Sequence, residues 1–156
     1  MLEPSDLHNY VPFFLIPSIG WGVRRYLIKR EDYSSLKKTT LGIGISAWFL
    51  TEMGRSFYRP YIYAYDIDDW VVADTIGNSL GTVTAIFIIL TMAGRGDRSD
   101  WWLVGLVLSG LIGYELLNLT GNHAFDLNDV LATILFGGVS AIAYATILLR
   151  NPDRSP

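Results

Sequence analysis

The chain sets long apolar stretches between short polar ones. Four of these stretches, Thr39 to Tyr58, Asp69 to Met92, Trp101 to Leu119 and Asp129 to Leu149, approach the roughly 20 residues that a bilayer core about 30 Å thick demands of a helix. A fifth, Tyr10 to Ile28, has an uninterrupted apolar part that stops at Val23 and contains Pro12 and Pro17. Arg24 and Arg25 can snorkel to the interface and let it continue, so it reads either as a first transmembrane helix or as a helix lying in the interface. The pattern predicts an all-α, polytopic transmembrane bundle of about five helices, one membrane domain over residues 1–156 ending in a cytoplasmic tail at 150–156.

Composition agrees. With 51% hydrophobic residues and a positive mean hydropathy, the chain is greasy for a soluble domain and ordinary for a membrane protein with loops. A net charge of −3, with 12 Lys and Arg scattered among 15 acids, argues against a nucleic-acid partner, which needs a concentrated basic surface. The absence of cysteine excludes disulfides, thiolate catalysis and iron–sulfur ligation. An acidic start, Met1 to His8, without a small-residue cleavage pattern after the first apolar run, argues against a removed signal peptide.

The basic residues serve as topology markers, because Lys and Arg are retained on the cytoplasmic side. Arg24, Arg25, Lys29, Arg30, Lys37 and Lys38 flank the first connection, Arg95 and Arg98 the third, and Arg150 and Arg154 follow the last helix. Five spans then place the N-terminus outside and the C-terminus in the cytoplasm of a multi-pass cell (inner) membrane protein. Trp101 and Trp102 fall at the inner interface, and Phe57, Tyr58, Tyr61, Tyr63, Tyr65 and Trp70 at the outer one. The acids Glu3, Asp6, Glu52, Asp66, Asp68, Asp69, Asp74, Glu115, Asp126 and Asp129 all lie toward the outer face.

Those acids recur in a pattern. Glu52 is followed by Asp66 and Asp69 and then Gly77, and Glu115 by Asp126 and Asp129 and then Gly137. Each half, 39–92 and 101–149, reads as a helical hairpin with a glutamate near the end of its first helix and an Asp-x-x-Asp pair opening its second. Two such hairpins of the same orientation are related by a parallel pseudo-twofold along the membrane normal. Helix capping accounts for Asp66, Asp69, Asp126 and Asp129 without any function. It leaves Glu52, Glu115 and Asp74 unexplained, and ionisable groups at such depth normally face a bundle interior with partners. Asp74, Asn78 and Gly81 recur at one helical face, expected to point inward. Arg55 and Arg59 are the expected counter-charges, and Gly77 and Gly81 a close-packing pair. The candidate site is thus Glu52, Arg55, Asp66, Asp69, Asp74, Asn78, Glu115, Asp126 and Asp129. Within it Asp66, Asp69, Asp126 and Asp129 are candidate ligands for Ca²⁺ or Mg²⁺, hard cations that take oxygen donors. His8 and His123 fall on the same side but lack ligand spacing.

Several membrane chemistries are absent as motifs: a two-His metalloprotease helix, a Gly-x-Ser-x-Gly elbow and a phosphate-binding Gly-rich loop with Lys. The run Glu52, Arg55, Asp66, Asp69, Ala73, Gly77, Asn78 and Gly81, with its echo Glu115, Asp126, Asp129, Ala132, Gly137 and Gly138, resembles the pattern of the VanZ-like membrane proteins. The second half departs from it, with Thr133 and Phe136 where an Asn-Gly pattern belongs. The resemblance implies a cell-envelope setting and supplies no reaction or substrate.

Three functions compete. The carboxylates can hold a divalent cation and through it an anionic envelope lipid or precursor. The chain can instead be a non-catalytic accessory subunit packed against a membrane-protein partner, or carry a cation or proton path through Glu52, Asp74 and Glu115.

Overall fold

The computed structural model describes residues 7–117 and 125–150, and the side chains from Tyr10 onward within them. Glu3, Asp6, His123, the side chain of His8 and the tail beyond Arg150 lie outside the described residues. Every described element is helical. In chain order they are α1 (Leu7–Lys29), α2 (Ser35–Met53), a π-helical turn (Gly54–Tyr58), α3 (Arg59–Ala64), α4 (Val72–Ala93), α5 (Asp100–Leu117) and α6 (Leu127–Arg150). Since α2, the π-turn and α3 run on without a break, the described residues form five helices. Three of them, α4, α5 and α6, are long and apolar enough to cross a membrane. α1 and α2 are of comparable length but more polar.

Local chemistry sets the boundaries. Ser34 caps α2, its hydroxyl accepting from the Lys37 N–H at 3.3 Å. α1 continues through Pro12 and Pro17, whose missing N–H groups leave two carbonyls without helical donors. The second helix outruns the expected end at Tyr58 because five residues wind as a π-turn rather than stopping.

α4 is the hub. It packs along α2 and α6 and also touches α5, while α1 leans on α2. The approach of α2 and the π-turn to α4 rests on a glycine of each and on isoleucines of α4. A Cβ at Gly44 would stand 3.0 Å from Ile88 Cδ1, and one at Gly54 only 2.1 Å from Ile76 Cδ1. Gly77 and Gly81, expected to make the close contact, do not: a Cβ at either would meet nothing within 4 Å. The aliphatic ladder of α4 decides its orientation instead. Ala73, Thr82, Ile86, Phe87, Leu90 and Thr91 are buried, whereas Asp74 is exposed and Asn78 and Gly81 are half-buried. The face carrying Asp74, Asn78 and Gly81 therefore flanks the core rather than pointing into it.

The apolar core, Ile86, Phe87, Leu90, Val104, Tyr144 and Leu148, joins α4, α5 and α6 at the end away from Asp74. Polar ties surround it. Thr91 donates to Thr40 Oγ1 at 2.9 Å across α2 and α4, and Lys37 pairs with Asp32 at 2.6 Å. Asp100 is fully buried. Its Oδ1 accepts from the Arg95 N–H at 2.8 Å and its Oδ2 from the Gly96 N–H at 2.7 Å and from the Tyr144 hydroxyl. Gly96 has φ +78°, a left-handed conformation that suits glycine and turns its N–H toward the carboxylate.

Candidate functional site

The opposite end gathers the candidate site from the N-termini of α4 and α6. Asp126 caps α6 directly, its Oδ1 accepting from the Asn128 N–H at 2.8 Å. Asp69 does the same for α4 from further back, accepting from the Ala73 N–H at 2.6 Å. The difference arises from Trp70 and Val71, both left-handed with φ of 59° and 67°, which insert two residues between the capping acid and the helix. Backbone of this kind in non-glycine residues, Val above all, is costly and persists only where its surroundings hold it. Asp68 closes its own loop by accepting from the Trp70 N–H at 3.2 Å. Capping thus explains Asp69 and Asp126.

Counted from the helix starts, Asp74 and Asp129 are each the third residue, of α4 and α6 respectively. Gly77 and Gly137, paired in the sequence repeat, are the sixth and the eleventh. Asp74 and Asp129 therefore hold the same position in their own helices, whereas the two glycines do not. Both acids sit in first turns, where the helix dipole favours a negative charge.

The two meet through their neighbours. Arg59, at the start of α3, reaches Asp74 at 3.3 Å and donates through Nε to the Tyr63 hydroxyl at 3.0 Å. The Tyr63 hydroxyl in turn donates to Asp74. Tyr63 first and Asp74 after it hold the Arg59 guanidinium yet more firmly in its charged form, against a smaller opposing effect of burial. The pair is open, with 43% of the Arg59 side chain and 40% of the Asp74 side chain exposed. On the α6 side Asn78 faces Asp129, whose charged neighbours are Asp126, Asp74 and Arg59. Asp129 Oδ1 is covered and has no hydrogen-bond partner among the described residues.

Of the expected residues, Asp74, Asn78 and Asp129 come together. Tyr63 and Arg59 complete the cluster. Arg55 is exposed on the π-turn and Glu52 half-buried on α2, and neither makes an ion pair among the described residues; the π-turn carries Arg59 instead of Arg55 toward α4. Glu115 lies in the last turn of α5. Asp66 is exposed in the loop, with φ 50°. Among the described residues no group of three or more His, Asp or Glu is placed to hold a metal ion.

Two hollows flank the cluster. One is a polar cleft of about 540 Å³ walled by Ile62, Tyr63, Asp66, Asp68, Asp69 and Asp74, with Trp70 at its lip. The other is an apolar groove of about 550 Å³ between the π-turn and α4, walled by Leu50, Met53, Phe57, Tyr58, Ile76 and Leu80. Tyr58 lines the groove, and burial first and the neighbouring Asp69 after it push its phenol up from the ordinary value. Comparison of the chain with family models, with curated proteins and with solved structures gives no match.

Proposed function

We propose that the chain is an integral membrane protein of the cell envelope, of VanZ-like type, that binds the positively charged part of a ligand where α4 and α6 begin. Its five helices cross the bilayer with the N-terminus outside, and the cluster of Arg59, Tyr63, Asp74, Asn78 and Asp129 lies at the outer face. The hairpins 39–92 and 101–149 are read as duplicated, with Asp74 and Asp129 as equivalents. The observation that carries the reading is Asp129 Oδ1, a covered carboxylate oxygen with no donor among the described residues. Leaving such an acceptor unmade costs about 1–3 kcal/mol, and a bound cation or ammonium supplies what it lacks. Acids outnumber bases around it, and the open Arg59–Asp74 pair lets an incoming cation take over Asp74. Ca²⁺ or Mg²⁺ bridging to an anionic lipid is one such ligand, an organic ammonium another.

The test is thermal stability in detergent with millimolar Ca²⁺, Mg²⁺ or a soluble alkylammonium, each against chelator. Binding to the folded state alone raises the melting temperature. A melting temperature flat across all conditions would overturn the proposal and leave the accessory-subunit reading. That second reading draws on α5, the least covered of the three long apolar helices, along which Gly105, Ser109 and Gly113 share one face, as in helices that pack against partners.

A further inference from the structure

We infer that the end of the bundle opposite Asp74 carries a binding surface for anionic phospholipid, in which the arginines closing α1 take the lipid phosphate. The inference rests on the reading that the bundle spans a bilayer, and concerns the end that the cation-accepting cluster does not occupy. The fold gathers there what the sequence spreads out. Arg24, Arg25, Lys29, Arg30 and Lys38 stand exposed around the α1–α2 connection, and Arg95 and Arg98 in the α4–α5 connection. The two connections are neighbours, since a Cβ on Gly96 would lie 2.9 Å from Leu36 Cδ2 and Thr91 donates to Thr40 at the adjoining helix ends. None of these cations makes an ion pair among the described residues. Glu31 and Asp97 stand against them, because Asp32 is paired with Lys37 at 2.6 Å and Asp100 is buried under its own donors. Three of the arginines are held by rings instead of acids. The Arg25 guanidinium lies 5.2 Å from the centre of the Trp21 ring, Arg30 5.4 Å from Tyr26 and Arg24 5.8 Å from Tyr33. Stacking of this kind positions a guanidinium without neutralising it, which suits its fork to an oxyanion. Trp21, Tyr26 and Ile28 beside them are exposed, so the cations border an apolar face. A phospholipid matches both, its acyl chain along the apolar side chains and its phosphate on the guanidinium groups, whereas a soluble anion or a nucleic acid uses the charge alone.

The probes are phosphatidylglycerol and phosphatidylcholine carrying the same spin-labelled acyl chain, each added to the full-length protein in phosphatidylcholine vesicles. The immobilised fraction is read by electron spin resonance. The phosphatidylglycerol label should associate about tenfold more strongly than the phosphatidylcholine label, and the preference should shrink as salt is raised. Arg24→Gln with Arg25→Gln should remove most of the preference while leaving the phosphatidylcholine label at the parent level, which shows that the bundle still presents its surface to lipid. Equal association of the two labels in the parent would overturn the inference. So would a fall of the same size in Arg55→Gln, a substitution at the other end of the bundle, because net charge would then account for it. Release of the phosphatidylglycerol label by millimolar inorganic phosphate at constant ionic strength would assign the arginines to a free anion and overturn the inference as well. Absence of any immobilised lipid, with either label, would sink the membrane reading and the inference with it, so the two failures are told apart.

Discussion

Replacing Asp100 by asparagine should destabilise the protein by about 2–4 kcal/mol without touching the candidate site at the other end of the bundle. The carboxylate is fully buried and takes two backbone N–H groups and the Tyr144 hydroxyl. An amide offers one acceptor oxygen in place of two. Whichever way it turns, its NH₂ group confronts either the Arg95 or the Gly96 N–H, and that backbone donor is orphaned at a cost of about 1–3 kcal/mol. The surviving hydrogen bonds lose the charge that makes them about twice as strong as neutral ones, while removal of a buried charge offsets part of the loss. Tyr144→Phe removes one hydrogen bond to a charged group and should cost about 1.5–3 kcal/mol. The two groups touch, so the double variant should be less destabilised than the singles added together. Reversible unfolding in mixed micelles, followed by circular dichroism, measures all three. An Asp100→Asn protein within about 0.5 kcal/mol of the parent, the range of ordinary surface substitutions, would refute the role assigned to this buried acid.

Gly54→Ala should be destabilising by about 1 kcal/mol, because overpacking against Ile76 costs roughly 1–3 kcal/mol and the gain in helix propensity returns about 1. Ile76→Val, which removes the atom 2.1 Å from the new Cβ, should rescue it, and an absence of rescue in the same unfolding assay would exclude that contact as the cause. Because the chain lacks cysteine, single cysteines at Ile67 and Ser99 report topology: an impermeant maleimide applied to intact cells should label the first and not the second, and the reverse would place the acidic cluster on the cytoplasmic side.

The helices were legible because apolar stretches of bilayer length leave few alternatives, and their ends moved by only a few residues. The π-turn was not legible, since nothing in Gly54–Tyr58 separates a π-turn from ordinary helix by composition; it sets Arg59 rather than Arg55 on Asp74. Asp69 and Asp126 could be read as caps from their spacing before apolar runs. That Asp74 and Asp129 each stand third in their helices could not, because the start of α4 is set by two left-handed residues, Trp70 and Val71, of types that seldom adopt that conformation. Tyr63 read only as an interfacial aromatic residue. Asp100 was not singled out: it lies in a charged stretch with Arg95, Asp97 and Arg98, although its place directly before Trp101 is a helix-start signal. The inward face of α4 was misjudged because polar spacing was weighed above the aliphatic ladder that packs.

The central claim is that Asp74 of α4 and Asp129 of α6 belong to one cation-accepting site, and the response of the melting temperature to cation in Asp74→Asn, Asp129→Asn and the double variant tests it most directly. In the parent a ligand at one hundred times its dissociation constant adds about 2.7 kcal/mol of stability. Each single variant should lose most of that gain, and the double variant should lose no more than either, because one site can be abolished only once. Two partial losses that add, or a full response retained in both single variants, would contradict the account.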